Sequence, residues 1–213
     1  MADEGPFERA RLLYEQAVFG GDADALSIAE RELEGVEAAL ALARGRILHA
    51  RFLEERQEDP RELALFERAV ELYRKVGDVR GEGESLFWVG TFHQVVRGDG
   101  ETAFAVLERS YELAAGAGDK LTLSYAVRHL GFADMAAGRM TAARERLEES
   151  VRLRKEIGFM PGVAAGLMAL AHLTAREGNH DKAMTLLDEA DTIAEECGAH
   201  GILRWVEQAR AEL

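Results

Sequence analysis

Four glycines set the frame for this chain. Gly77, Gly118, Gly158 and Gly198 lie 41, 40 and 40 residues apart. Each closes an amphipathic run: ELYRKVG, ELAAGAG, RLRKEIG and TIAEECG. A glycine in that place suits the left-handed residue that ends a helix. The residues before them keep step. Eleven positions earlier stand Phe66, Leu107, Leu147 and Leu187; eight earlier, Ala69, Ser110, Ser150 and Ala190; five earlier, Leu72, Leu113, Leu153 and Ile193. This spacing lays large, small and large side chains along one helical face, with the small residue where a neighbouring helix comes close. A period near 40 is that of a helix pair, which buries its apolar face only by stacking on the next copy.

A second helix lies upstream in each unit, reading WVGTFHQVVRGDGETA, HLGFADMAAGRMTAA and ALAHLTAREGNHDKA. Gly90, Gly131 and Ala171 allow close packing there, Gly98, Gly138 and Gly178 end the helix, and Ala103, Ala143 and Ala183 open the next one. One unit carries an extra residue, placed by this reading in the turn around Gly98 to Gly100. In the unit from about Gly35 to Gly77, Ala50 takes the small position and Gln57 stands where the turn glycine belongs. Asp59-Pro60 rebuilds that turn as an N-cap followed by proline at the first helical position. Residues 7–34 read as one more pair, broken at Gly20-Gly21. The closing segment GILRWVEQARAEL places Ile202, Trp205, Val206 and Ala209 on one stripe, as a cap over the exposed core of a stack.

The expectation is an all-α chain of about eleven helices in antiparallel pairs. It forms one domain over 1–213, with a degenerate pair at 7–34, repeats at 35–77, 78–118, 119–158 and 159–198, and a capping helix at 200–213. Composition agrees: 47% apolar, 31% charged, three prolines and abundant Ala, Leu, Glu and Arg. The net charge of −13 with no basic block argues against nucleic acid, which needs a local excess of cations. Val163 to Leu173, the longest apolar stretch, is too short for a bilayer, and Met1 to Pro6 lacks the apolar core of a signal peptide. Cys197 is the lone cysteine, so no intrachain disulfide forms and a reducing, cytoplasmic setting is expected.

A small residue, a glycine seven positions on, and an alanine five further is the tetratricopeptide pattern. The chain resembles that family over about 35–198, in the long variant found in bacterial signalling regulators and kinesin light chains. The resemblance implies an α-solenoid in which the first helix of each pair lines a concave surface. The family's concave positions carry over to Arg44, Ile47, Arg51, Glu54 and Glu55 in the first full unit, and to Phe87, Thr91 and Gln94 in the second. The third supplies Tyr125, Arg128, Phe132 and Met135, the fourth Met168, His172 and Arg176. These are types enriched in binding hot spots. The reading favoured by the resemblance is a groove for a peptide or partner helix bearing carboxylates, anchored by Arg44, Arg51, Arg128 and Arg176. The plainer reading has Phe132, Met135 and Met168 sealing adjacent repeats and the arginines solvated.

The family implies neither catalysis nor a cofactor, and a protein or peptide partner in signalling or regulation. A small-molecule pocket, less readily an enzyme site, around Phe87, His93, Tyr125, Arg128, Asp134 and His172 is the alternative. Self-association through a solenoid end, as a homodimer, is another. The carboxylate clamp of chaperone-tail binders needs groove asparagines; Asn179 is the only asparagine and stands in a turn. His93 and Asp134, at equivalent places in adjacent repeats, read as a buried structural link or a polar site. Trp88 and His129 beside them read as core or groove edge. Arg97-Gly98-Asp99 reads as a chance tripeptide, GAGDK at 116–120 as a helix stop without the strand a phosphate loop needs, and Cys197 as a packed thiol. The six histidines lack metal-ligand spacing. Glu32, Glu34, Glu37, Glu145, Glu148 and Glu149 read as solvated faces.

Overall fold

A computed structural model describes residues 5–213, and all their regular structure is helical. Ten α-helices follow in order: α1 (Pro6–Gly20), α2 (Ala25–Glu55), α3 (Arg61–Val76), α4 (Val79–Thr91), α5 (Gly100–Ala117), α6 (Lys120–Ala136), α7 (Met140–Glu156), α8 (Met160–Arg176), α9 (His180–Glu196) and α10 (His200–Glu212). No helix among the described residues is long and apolar enough to cross a membrane. The signal-peptide reading at the amino end falls largely on residues 1–4, outside the described residues.

The chain divides into two compact units, Met1–Asp99 and Gly100–Leu213. The division falls inside the 78–118 repeat. Within the first unit α1 packs on α2, α2 on α3 and α3 on α4; within the second, α5 to α10 each pack on the next, and α10 also touches α8.

The turns explain the helix lengths. At the end of α5, Gly118 takes φ 68°. Its N–H donates to the Ala115 carbonyl at 3.2 Å and that of Asp119 to the Ala114 carbonyl at 2.9 Å, which satisfies two carbonyls that have no partner inside the helix. Asp119 then caps α6, accepting from the Leu121 and Thr122 N–H groups at 3.1 and 3.2 Å. One residue stops a helix and the next starts another. All four repeat glycines, with Gly98, Gly138 and Gly178, hold the same left-handed conformation.

The first repeat departs from the expectation at three places. No helix break occurs at 34/35: α2 runs unbroken across it for 31 residues, because Gly35 sits in open space among good helix formers and no proline intervenes. This fusion brings the count to ten. Without the turn glycine, Arg56 takes the left-handed position at φ 57°, donating its N–H to the Phe52 carbonyl at 2.8 Å. Ala50 is exposed, and Gly45 makes the close approach: a Cβ there would stand 2.5 Å from the Phe66 ring. The longer connection at 56–60 shifts the contact along α2. Asp59 does cap α3, accepting from the Arg61 N–H at 2.9 Å.

The extra residue of the 78–118 repeat lies before the turn. The chain from Phe92 to Val96 is π-helical and continues α4; Arg97 N–H reaches the Phe92 carbonyl at 3.2 Å, five residues back. A π-turn absorbs one inserted residue without ending the helix. In α10, Val206 and Ala209 are buried while Trp205 is half exposed, so the capping stripe is narrower than expected.

The second unit's core runs through Ala143, Leu147, Val163, Leu167, Ala171, Leu187 and Val206. Gly131 on α6 presses on α7: a Cβ there would lie 3.1 Å from Leu147 Cγ and 3.4 Å from the Ala143 carbonyl oxygen. Gly131→Leu should lower stability by about 3 kcal/mol through overpacking, read as a drop in the urea midpoint; an unchanged midpoint would refute this contact. Arg56→Gly should raise stability by about 1 kcal/mol by relieving the left-handed strain on a residue with a Cβ. Urea titration followed by circular dichroism measures it, and a lower midpoint would show that the arginine side chain outweighs its backbone.

Candidate binding faces on the first helices

In the first unit the carry-over positions gather around a real depression. Arg44, Ile47, Leu48 and Arg51 of α2, with Pro60, Arg61, Ala64 and Leu65, line a cavity of about 600 Å³. A neighbouring hollow of about 400 Å³ shares Leu48, Arg51 and Pro60 and adds Glu55. Residues i, i+3 and i+7 of one helix share a face, which is why Arg44, Ile47 and Arg51 look the same way. Ile47 is 56% exposed, an apolar side chain between two cations. Arg61 is held by Asp59, whose carboxyl that contact keeps well below the usual range, at about 2. Arg44 and Arg51 take part in no ion pair among the described residues.

Under this face His49 Nδ1 lies 2.8 Å from Glu62 Oε1, both buried. Glu62 Oε2 has no partner. The sequence reading missed Glu62, which sits on the inner face of α3 where its charge is unusual.

Glu54 and Glu55 are exposed, whereas the carry-over residues of the next repeat are covered or half-covered. Phe87 is 3% exposed and Thr91 is buried; Gln94 is half-buried. Phe87 stacks edge-on against Trp88, which also packs on Phe66 and carries Arg46 over its ring. His93 Nδ1 stands 4.0 Å from Asp99 Oδ2.

The second unit is different in kind. Tyr125 and Arg128 of α6 are half-buried against α8. Arg128 Nη2 donates to the Ala165 carbonyl at 3.3 Å, its guanidinium rests 4.4 Å over the Phe132 ring, and its enclosed Nε has no acceptor. Beside it lies Arg154 of α7, 1% exposed. Arg154 Nη1 donates to the Gly162 carbonyl at 2.8 Å, with Tyr125 and Phe159 rings 4.9 and 5.9 Å from its guanidinium. Burial, reinforced by the like charge of Arg154, pushes Arg128 down to about 9; burial pushes Arg154 down to about 10. Neither meets a carboxylate among the described residues, whereas the surface arginines around them do, as in Arg152 with Glu149 and Arg144 with Glu148.

Arg154 went unnoticed in the sequence, yet the repeat register marks it. Four residues before each repeat glycine stand Tyr73, Ala114, Arg154 and Ala194, and four after each stand Gly81, Thr122, Gly162 and Ile202. Large faces glycine. A Cβ on Gly81 would meet the Tyr73 ring at 2.5 Å, and one on Gly162 would meet Phe159 at 2.3 Å and Arg154 Cδ at 2.9 Å. Gly166, one turn on, gives Val151 room in the same way.

The remaining positions divide. Met168 is buried in the second unit's core, and Phe132 and Met135 pack against it, so the sealing reading describes these three. His172 is half-buried and Arg176 is exposed at the end of α8. Within its own unit each of His93 and Asp134 has a charged neighbour, Asp99 for the first and Arg139 for the second. Asp134 is 2% exposed and its Oδ1 accepts from Arg139 Nε at 2.8 Å. Arg146 Nη1 sits 3.0 Å from Oδ2, close enough for charge but poorly aligned for a hydrogen bond. Cys197 is exposed rather than packed. The acidic faces carry surface ion pairs, Glu32 with Arg9 and Glu37 with Arg68, contacts worth little each.

No family model matches the sequence, and no curated protein does. Solved structures do match in shape. A Rap protein complexed with competence and sporulation factor superposes with a TM-score of 0.70 at 18% identity, over 94% of this chain and 56% of that one. Aspartyl phosphate phosphatase F from Bacillus subtilis gives 0.68 at 12%, over 97% and 54%. A putative kinesin light chain from Podosopora anserina, with nearly identical tetratricopeptide-like repeats, gives 0.52 at 18%, over 83% and 86%. The chain thus spans about half the length of the first two, and the likeness establishes the fold: helix pairs of the tetratricopeptide type.

Gly162→Ala should destabilise the protein by about 2 kcal/mol, since the new methyl group must displace Phe159 and the Arg154 stem together. Chemical denaturation measures the loss. A neutral outcome would show that the two side chains reorganise freely.

Proposed function

With the tetratricopeptide-type fold as premise, we propose that this chain is a protein–protein interaction module that takes a peptide or partner helix on the faces of its first helices. It works without a cofactor and without catalysing a reaction, in the cytoplasm, in bacterial signalling or regulation. The observation that carries this reading is the cavity between α2 and α3, where Arg44 and Arg51 flank an exposed isoleucine. Arginines and an apolar side chain at the centre of a depression are the ingredients of a recognition hot spot. In a chain of net charge −13, two arginines outside any ion pair among the described residues favour a ligand that brings carboxylates. The matched Rap structure, which holds competence and sporulation factor, supports a binding role for this architecture. Arg128 offers a second cation on the equivalent helix of the other unit.

Selection of short peptides from a displayed library against the full chain tests the reading. The selected sequences should be enriched in Asp and Glu beside apolar residues. Arg44→Glu with Arg51→Glu should weaken their binding at least about tenfold, with the circular dichroism spectrum unchanged. Equal binding by the double variant, or no selectable peptide, would overturn the reading.

A further inference from the structure

Two neighbouring arginines, Arg154 buried and Arg128 half-buried, pose an electrostatic problem, since no acid pairs with either among the described residues. Desolvating one ion costs several kcal/mol in a real protein, and a like charge beside it adds to that cost. A guanidinium does not escape by losing its proton, because it stays protonated in proteins. The backbone carbonyls of Gly162 and Ala165 satisfy some donors, and the rings of Tyr125, Phe159 and Phe132 supply cation–π attraction. None of these carries a full negative charge.

We propose that the Arg128–Arg154 pair is a carboxylate socket. A carboxylate carried by the bound peptide docks on the partly exposed edge of Arg128, and Arg154, enclosed behind it, doubles the field. This deepens the recognition reading and rests on it for the claim that the carboxylate belongs to a peptide.

The parts fit that task. Arg128 is reachable, being half-buried, while Arg154 at 1% exposure is not; the first is the contact and the second a positioning charge. Arg128 stands over the Phe132 ring, 4.4 Å from its centroid, and a guanidinium pairs with a planar carboxylate through two parallel hydrogen bonds. Its Nε is enclosed and has no acceptor among the described residues, so the protein leaves a buried cationic donor unpaired. Arg154 is also an intruder in the repeat. Its position is held by buried Ala114 and Ala194 in the neighbouring copies, where an arginine would gain nothing for packing. The space it fills exists because Gly162 carries no side chain.

The test uses the full chain labelled with nitrogen-15, following the Nε–Hε signals of Arg128 and Arg154. N-acetylglycine serves as the carboxylate probe, N-acetylglycinamide as its neutral match and inorganic phosphate as the rival oxyanion. The expected result is a saturable shift of both signals with N-acetylglycine and none with the amide. Arg128→Gln should abolish the response of Arg154. Arg154→Met should weaken binding at Arg128 about tenfold, as loss of a nearby charge would. Should that variant fail to fold, Arg128→Lys replaces it: a point charge without the planar edge should also bind about tenfold more weakly.

Absence of a saturable carboxylate response, an equal response to the amide, or saturation by phosphate alone would overturn the proposal. Undiminished binding in Arg154→Met, or in Arg128→Lys where that is the variant used, would do the same. Selected peptides that bind normally to Arg128→Gln, with no response to N-acetylglycine, would sink the socket and leave the first unit's groove standing. A carboxylate response with no selectable peptide would sink the groove reading instead.

Discussion

Among the described residues, each helical run before α10 ends where one residue goes left-handed, and the regularity of that event organises the rest. A left-handed residue costs about 1–2 kcal/mol when it carries a Cβ and little when it is glycine. The chain therefore places glycine wherever the turn is tight, as at Gly118, where the following aspartate at once caps the next helix. Fixed stopping points give fixed helix lengths. Those lengths bring Leu147 against Gly131 in register, and the register then decides which residues of α6 and α8 face each other.

That dependence explains why so much of the fold was legible in the sequence. A glycine period, a large–small–large face and a residue pattern shared by successive units are local signals, and local signals survive in one sequence. Where the glycine was missing the reading slipped. Gln57 marked the irregular turn correctly, but not that Arg56 would take the left-handed place, nor that the contact with Phe66 would pass from Ala50 to Gly45. The one-residue insertion near Gly98 was counted correctly and misplaced, because a π-turn hides an insertion inside a helix rather than in the loop.

The candidate site was legible only in part. Arg44, Ile47 and Arg51 come from one helix face, so helical spacing alone brought them together. Phe87 and Met168 occupy equivalent positions yet are buried, since what covers a helix face depends on its neighbours and not on its own period. Arg154 was hidden for a subtler reason. Charged residues late in a helix read as solvent-facing and as favourable to the helix dipole, and only comparison of the same position across copies shows that this one points inward.

Tyr73 opposite Gly81 and Arg154 opposite Gly162 are the same exchange made twice: bulk granted on one helix, surrendered at the start of the next. The two partners lie eight residues apart in the chain, on either side of a single turn. A new side chain, even a charged one, can therefore be introduced by settling with one near neighbour in sequence, leaving distant parts of the stack undisturbed. Repeats built this way can each acquire a private chemistry while the scaffold they share stays constant.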